Sequence, residues 1–469
     1  METLKLIIAG KETESPKRFS SRNYRGEVIS QVHMAEDGEI EKALEAVDRA
    51  FESLSKTPAH LRQDGLRKAA DLLEQRAEDF ARIIAQEVSK PIRLARGEVS
   101  RAVKTLRLTV SAMEEAQGEI VRLDTSPGHP HKTGLVRMFP KGPVLAIVPF
   151  NFPLNLAMHK IAPAVAVGAP FILKPPSAAP ITGLMLGRLF LDAGVPPEAV
   201  SVLPAPSSLA EKMALDHRIK VVSFTGSSPV GWRLRQMAPK KTVLLELGGN
   251  AACLIHRDAD MELAVQRCIV GSYAYSGQVC ISIQRIMVHE DIYRDFVQMF
   301  SEKAGALKTG DPLQDDTDIG PMITESEAKR VEEWVNEALE KGGKLLFGGR
   351  RDRSFYQATA VENPPRNSRL WTGEVFGPVA TVEPVKDFQQ GLRLVNDSEF
   401  GLQAGVFTRD INLAMQAFET IEVGGVILND MPTFRVDRMP YGGVKSSGNG
   451  REGPHYTMRE FCETRLMVI

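Results

Sequence analysis

The chain has 469 residues, 58 Lys and Arg against 59 Asp and Glu, and 43% hydrophobic residues. That length is more than one small core and implies two or three domains, while the balanced charge argues against nucleic acid or an acidic membrane surface as a partner. Four cysteines, Cys253, Cys268, Cys280 and Cys462, lie at neither CxxC nor Cys/His metal spacing, so no metal site and no disulfide framework is expected, and a reducing cytoplasm fits best. Residues 1–8 reach Lys11 too soon for a signal-peptide core, and the longest apolar stretch, 144–173, is broken by prolines, His159 and Lys160. A cytoplasmic protein with no membrane span is expected.

In chain order, Ile40, Ala43, Leu44, Val47, Ala50 and Phe51 recur at helical spacing, and a second helical pattern over residues 61–88 is stopped by Pro91. Residues 119–123 and 133–139 flank the turn-rich Ser126-Pro127-Gly128-His129-Pro130 and predict a hairpin. Residues 144–150, 171–174, 200–203, 219–225 and 242–247 are continuously apolar, which marks buried parallel strands and an open α/β sheet of the kind that carries nucleotides. A second α/β series from 251 to 429, with a helix at 326–340 and strands at 378–384, 404–408 and 425–429, predicts a separate domain. The hairpin and the extended apolar residues 464–469 leave edges that need another chain to cover them.

Chemistry concentrates at a few places. Gly448-Asn449-Gly450-Arg451-Glu452-Gly453 matches GxGxxG but follows no buried strand, so it is rejected as a phosphate loop. The better candidate is the strand 221–225 ending at Gly226 and Ser227, which opens a helix whose first turn holds Pro229 and Val230; free N–H groups there attract a pyrophosphate. Cys280 lies in Tyr275-Ser276-Gly277-Gln278-Val279-Cys280, 34 residues after the strand-end Glu246. A thiol with a carboxylate suggests a nucleophile and a base that activates water.

Pro149-Phe150-Asn151-Phe152-Pro153, Gly248-Gly249, Gly277-Gln278-x-Cys280 and Glu374-Val375-Phe376-Gly377-Pro378 occur in that order, and together they resemble the aldehyde dehydrogenase superfamily over essentially the whole chain. The resemblance implies a Rossmann-like cofactor domain (residues 1–118 and 140–247), an α/β catalytic domain (248–445) and a small β oligomerisation element (119–139 and 446–469), assembled as a dimer or tetramer. It implies oxidation of an aldehyde to the acid with NAD or NADP. Cys280 would attack, Asn151 and the Cys280 N–H would hold the oxyanion, and Glu246 would activate water, with Lys160 relaying a proton or orienting Glu246. Cofactor contacts would come from Phe150, Lys174, Ser177, Gly226, Ser227, Val230, Glu374 and Phe376. Ser177 stands where NAD-preferring members often have Glu, so NADP should be tolerated.

For substrate, Arg101 and Arg435 resemble the phosphate-holding arginines of non-phosphorylating glyceraldehyde-3-phosphate dehydrogenases, whose third arginine is Val279 here. His159 replaces a frequent Trp, as in lactaldehyde and phosphonoacetaldehyde dehydrogenases, and Phe434 adjoins Arg435. A short polar or anionic aldehyde is expected, since guanidinium forks suit such groups. The alternatives are a coenzyme A-acylating semialdehyde dehydrogenase, which commonly lacks the glutamate present here as Glu246, and a catalytically silent relative. One departure from the family pattern is Asn250 in Gly248-Gly249-Asn250-Ala251.

Overall fold

Five parallel strands form the centre of the first sheet. A computed structural model describes residues 3–115, 118–125, 127 and 131–469. The order across those five is Thr242–Glu246, Val221–Thr225, Val144–Ile147, Phe171–Lys174 and Val200–Val202. All but Thr242 of these residues are buried, as continuous Val, Leu and Ile runs between two helical layers require. The chain leaves Val144–Ile147, adds two strands on one side, then returns to add Val221–Thr225 and Thr242–Glu246 on the other. That reversal opens a crevice beyond the carboxyl ends of Val144–Ile147 and Val221–Thr225, where open α/β sheets take ligands.

Register aligns the chemistry along this edge. Lys174 pairs with Ile147, Ile147 with Phe224, and Thr225 with Glu246. At about 4.8 Å per strand, Lys174 and Glu246 sit on the order of 14 Å apart across the row. Behind it, the helix Asn155–Val167 is buried at every position, although it carries His159 and Lys160.

The second sheet has seven strands, six of them parallel, with Ala251–Ile255 and Ile283–His289 at its centre and Gly425–Leu428 at one edge. Its aromatic core of Tyr273, Phe296 and Phe300 packs beneath. A third, antiparallel sheet joins Glu119–Arg122, Thr133–Pro140 and Cys462–Val468. Ser126, Gly128, His129 and Pro130 of the expected turn lie outside the described residues. No helix among the described residues is long and apolar enough to cross a membrane.

Two expectations need correction. The pattern over residues 61–88 is two helices, Ala59–Gln75 and Ala77–Val88, broken at Arg76, whose φ of −99° and ψ of 18° leave the helical region without Gly or Pro to announce it. Residues 446–469 are not one β element. Gly448–Asn449 joins the first sheet beside Glu246, pinned because the Asn449 side chain accepts from Leu245 N at 2.9 Å and donates to Val243 O at 3.1 Å. The helix Pro454–Glu460 follows, and only Cys462–Val468 enters the third sheet.

Candidate active site

A cavity of about 360 Å³ fills the crevice, lined by Phe150, Asn151, Gly226, Ser227, Glu246, Gly248, Cys280, Arg330, Glu374 and Phe376 among others. Its walls are the four motif segments, and glycines explain why they fit together. A Cβ on Gly248 would overlap the Glu374 carboxylate, one on Gly249 the Cys280 carbonyl, and one on Gly277 the Gly377 carbonyl. At Gly249 and Gly277 the segments touch backbone to backbone, and at Gly248 the backbone meets the Glu374 carboxylate, spacings that no side chain permits.

The loop bearing Cys280 is strained and firmly held. Tyr275, Ser276 and Gly277 take φ of 51°, 54° and 67° in succession, a left-handed run that costs non-glycine residues about 1–2 kcal/mol each. Opposing it, the Tyr275 hydroxyl donates to Val88 O at 2.8 Å, Ser276 Oγ to Gly320 O at 2.7 Å, and Ile323 N donates to Gln278 Oε1 at 2.9 Å. Asn151 Nδ2 donates to Gln278 O at 3.0 Å, tying the two catalytic loops together.

Asn151 is placed by the helix behind it. The Glu98 carboxylate accepts from Leu154 N at 2.9 Å and Asn155 N at 3.1 Å, capping Asn155–Val167 where its dipole favours negative charge. Glu98 is ion-paired with Lys90, whose ammonium lies 3.6 Å from the centroid of Phe152 and 4.7 Å from that of Tyr275. One buried pair thus supports both loops.

Cys280 is half-buried at the cavity floor, and burial pushes its thiol up to about 11, against a lowering hydrogen bond from Tyr441. Its backbone N–H has no acceptor among the described residues. Glu246 is buried, with Oε2 unpaired. Burial, then the charge of Glu452, hold it well above the ordinary carboxylate value, while Arg435, Lys160 and Arg451 pull the other way. Glu374 is raised by burial to about 7 and accepts from Gly249 N at 3.1 Å.

The expected cofactor residues divide into two groups. Phe150 and Phe376 meet edge to face at 5.9 Å on the cavity wall, and Ser227 is the N-cap residue of the helix Ser228–Met237. Lys174, Ser177 and Val230 lie outside the cavity; Lys174 is buried without an acceptor among the described residues and lowered by that burial to about 8, whereas Ser177 and Val230 are exposed. An extended dinucleotide fits this layout: a helix N-terminus in the middle, an unpaired buried ammonium at one end, an aromatic pair with a carboxylate at the other, and an unpaired Thr225 hydroxyl between.

The expected substrate residues are mostly engaged elsewhere. Arg101 is paired with Asp437 through Nε at 3.2 Å and Nη2 at 2.7 Å, which leaves Nη1 as the part of the guanidinium open to another anion. Asp437 also bonds His159 Nε2 at 2.9 Å and accepts from Asn155 at 3.2 Å. Burial raises the Asp437 carboxyl, but these partners override it and hold the group far below its usual range. Burial lowers His159, leaving it neutral with Nδ1 unpaired. Lys160 does not contact Glu246; it pairs with Glu452 at 2.7 Å and donates to Ser223 at 3.1 Å. Arg435 pairs with Glu452 at 3.2 Å and stacks 3.7 Å over Tyr441, but its buried Nε has no acceptor. Phe434 is half-exposed.

Tyr441, Asp437 and Glu452 went unassigned in the sequence, although Asp437 and Tyr441 closely follow Arg435 and Glu452 sits inside the rejected GxGxxG string. Asn250 also acquires a role: it donates to Trp371 O at 2.8 Å and Gly373 O at 3.0 Å, and accepts from Arg285 at 2.8 Å, so it anchors the loop that presents Glu374.

Comparison with known proteins agrees with this construction. The profile described as "Aldehyde dehydrogenase family" matches residues 11–467. The chain is 42% identical over 459 residues to the 3-sulfolactaldehyde dehydrogenase of Priestia megaterium, covering 98% of this chain and 96% of that one. Among solved structures, aldehyde dehydrogenase 21 from Physcomitrella patens, in complex with the reaction product succinate, superposes with a TM-score of 0.98 at 40% identity, covering 100% of this chain and 98% of that one. The glyceraldehyde-3-phosphate dehydrogenase of Methanocaldococcus jannaschii complexed with NADP gives 0.93 at 36% identity, with 97% and 100% covered. With thiol, carboxylate and amide around one cofactor-shaped crevice and near full-length similarity on every side, the chain belongs to the aldehyde dehydrogenase family, whose members are NAD(P)-dependent.

Proposed function

We propose that this enzyme oxidises a short aldehyde with a polar or anionic far end to its carboxylic acid, without coenzyme A, with Cys280 as nucleophile and Glu246 as base. NAD(P)+ supplies the hydride acceptor. Cys280 Sγ attacks the carbonyl carbon, and the oxyanion accepts from the Cys280 N–H and the second Asn151 amide hydrogen, donors aimed at charge as it develops. Loss of hydride leaves a Cys280 thioester. Glu246 takes a proton from water, the hydroxide adds to the thioester, and the thiolate leaves. The observation that carries the reading is the Cys280 N–H without an acceptor, beside Asn151 and in one cavity with a buried, unpaired Glu246 oxygen.

The anionic far end rests on Arg435. Its buried Nε lacks an acceptor and its guanidinium lies on Tyr441, one residue from the thiol, so it can meet only the far end of a short chain. The neutral His159 leaves an unpaired ring nitrogen on the same side, suited to a hydroxyl. A sulfonate-bearing and a carboxylate-bearing aldehyde are the chemistry that the names of two similar proteins suggest. We also infer a homo-oligomer, because Leu466, Met467 and Val468 on an edge strand and Ile411, Met415 and Phe418 on the helix Ile411–Thr420 are exposed, and a cytoplasmic location, because all four cysteines are free thiols.

The test is NADH or NADPH formation with 3-sulfolactaldehyde, succinic semialdehyde, lactaldehyde, glyceraldehyde 3-phosphate and propanal, with Cys280→Ala alongside. Turnover of an anionic aldehyde in preference to propanal, without coenzyme A and abolished by Cys280→Ala, is expected. Turnover by Cys280→Ala, or a strict need for coenzyme A, would overturn the reading.

A further inference from the structure

We propose that Tyr441 is a catalytic residue that holds the Cys280 sulfur and stabilises its thiolate, both when the nucleophile forms and when it departs from the thioester. The inference rests on Cys280 being the nucleophile. Tyr441 Oη lies 3.1 Å from Cys280 Sγ, with Tyr441 buried and Cys280 half-buried where it lines the cavity. Either atom can donate while the sulfur carries its proton, but only the phenol can donate to a thiolate.

Burial pushes the Tyr441 phenol well above its ordinary value. It therefore keeps its proton across the working range of the enzyme and stays able to donate once the sulfur is a thiolate. Toward Cys280 the hydrogen bond opposes the burial that drives the thiol up.

The ring is built to point that hydroxyl. Tyr441 and Glu452 exchange backbone hydrogen bonds, Tyr441 N to Glu452 O at 3.0 Å and Glu452 N to Tyr441 O at 2.6 Å. The Arg435 guanidinium covers the ring face at 3.7 Å and is itself fixed by Glu452, which Lys160 holds from the far side. A cation on the ring draws electron density from the phenol, so Arg435 works against the burial that weakens the phenol as an acid. Gly442, next in the chain, leaves room for close neighbours: a Cβ there would stand 2.5 Å from Gly450 O and 3.0 Å from Glu246 Oε1.

The steps balance without proton transfer from Tyr441. The thiol proton leaves to cavity water, and the phenol donates to the resulting thiolate. When the sulfur lone pair forms the C–S bond, the sulfur becomes a poor acceptor and the hydrogen bond relaxes. When the C–S bond of the tetrahedral adduct breaks, its electron pair returns to sulfur and Tyr441 receives a thiolate again. A lower thiol pKa makes a weaker attacking group but a better leaving group and a larger ionised fraction, so the gain falls on the fraction active at neutral pH and on thioester hydrolysis.

Tyr441→Phe keeps the ring beneath Arg435 and removes only the oxygen. The rate of Cys280 alkylation by iodoacetamide, located by mass spectrometry and followed against pH on the full-length protein, should move its midpoint upward and fall about tenfold at neutral pH, as expected for loss of one hydrogen bond to a charged group. The acid limb of kcat/KM for the aldehyde should shift the same way, with KM for the cofactor unchanged. An alkylation profile in Tyr441→Phe identical to wild type would overturn the proposal, because packing alone is preserved in that variant. Failure of the nucleophile reading is separately visible as turnover by Cys280→Ala, which leaves the alkylation comparison intact.

Discussion

Replacing Gly277 by alanine perturbs the nucleophile loop in two separable ways. Its φ is +67°, in the left-handed region that costs an L-residue about 1–2 kcal/mol. The added Cβ would also overlap the Gly377 carbonyl, whose residue has the Val331 and Met322 side chains close beside it. Relief then falls on the segment leading to Cys280, by about 1 Å. A misplacement of that size costs on the order of 10²-fold in rate, about 2.7 kcal/mol at the transition state. Gly194 supplies the control, since its φ is +84° yet nothing lies within 4 Å of an added Cβ. Steady-state kcat and thermal midpoints of both variants decide the matter. Gly277→Ala should lose about a hundredfold in kcat, whereas Gly194→Ala should lose stability alone. Wild-type kcat in Gly277→Ala, or an equal loss in Gly194→Ala, refutes the close-approach reasoning.

Glu246→Gln should retain a rapid burst of reduced cofactor while steady-state turnover falls by about 10²–10⁴-fold, measured by stopped-flow absorbance. Because burial and Glu452 raise Glu246, its base form is lost as pH falls through that raised value, so wild-type hydrolysis should climb with pH well above the usual carboxylate range and the Gln variant should lose this rise. Ser177→Glu, at an exposed position, should leave stability unchanged and shift preference from NADP toward NAD by about tenfold or more through repulsion of the 2′-phosphate, read from the ratio of kcat/KM values. Arg435→Leu should raise KM for an anionic aldehyde by about 10–100-fold relative to propanal; an equal change for both substrates would remove Arg435 from anion binding.

The parallel sheet was legible because burial on both faces leaves a continuous apolar run with no competing signal: Phe171–Lys174 coincides with its expected bounds, and Val221–Thr225 and Thr242–Glu246 differ only at their ends. The motif glycines were equally legible, since each marks a close approach of backbone or side chain that leaves no room for a Cβ. What stayed hidden depends on closure of the chain over long separations. Asp437 reaches Arg101 from 336 residues away and Glu452 reaches Lys160 from 292, so arginines and a lysine that look free in sequence are already partnered. Tyr441 reads as one more apolar residue until its hydroxyl is seen beside a sulfur 161 positions earlier. The break at Arg76 carries no turn residue at all.

The left-handed run before Cys280 bears on when the thiol becomes dangerous to its own chain. Its restraints come from Val88, from Asn151 and from the loop holding Gly320 and Ile323, three segments that meet only when the first and second sheets have both formed and docked. A nascent or partly unfolded chain has no reason to keep three consecutive residues in that conformation, and there the sulfur is an ordinary cysteine without donor, amide or neighbouring carboxylate. Chemical competence thus belongs to the folded, docked chain alone, and local opening of the loop switches it off.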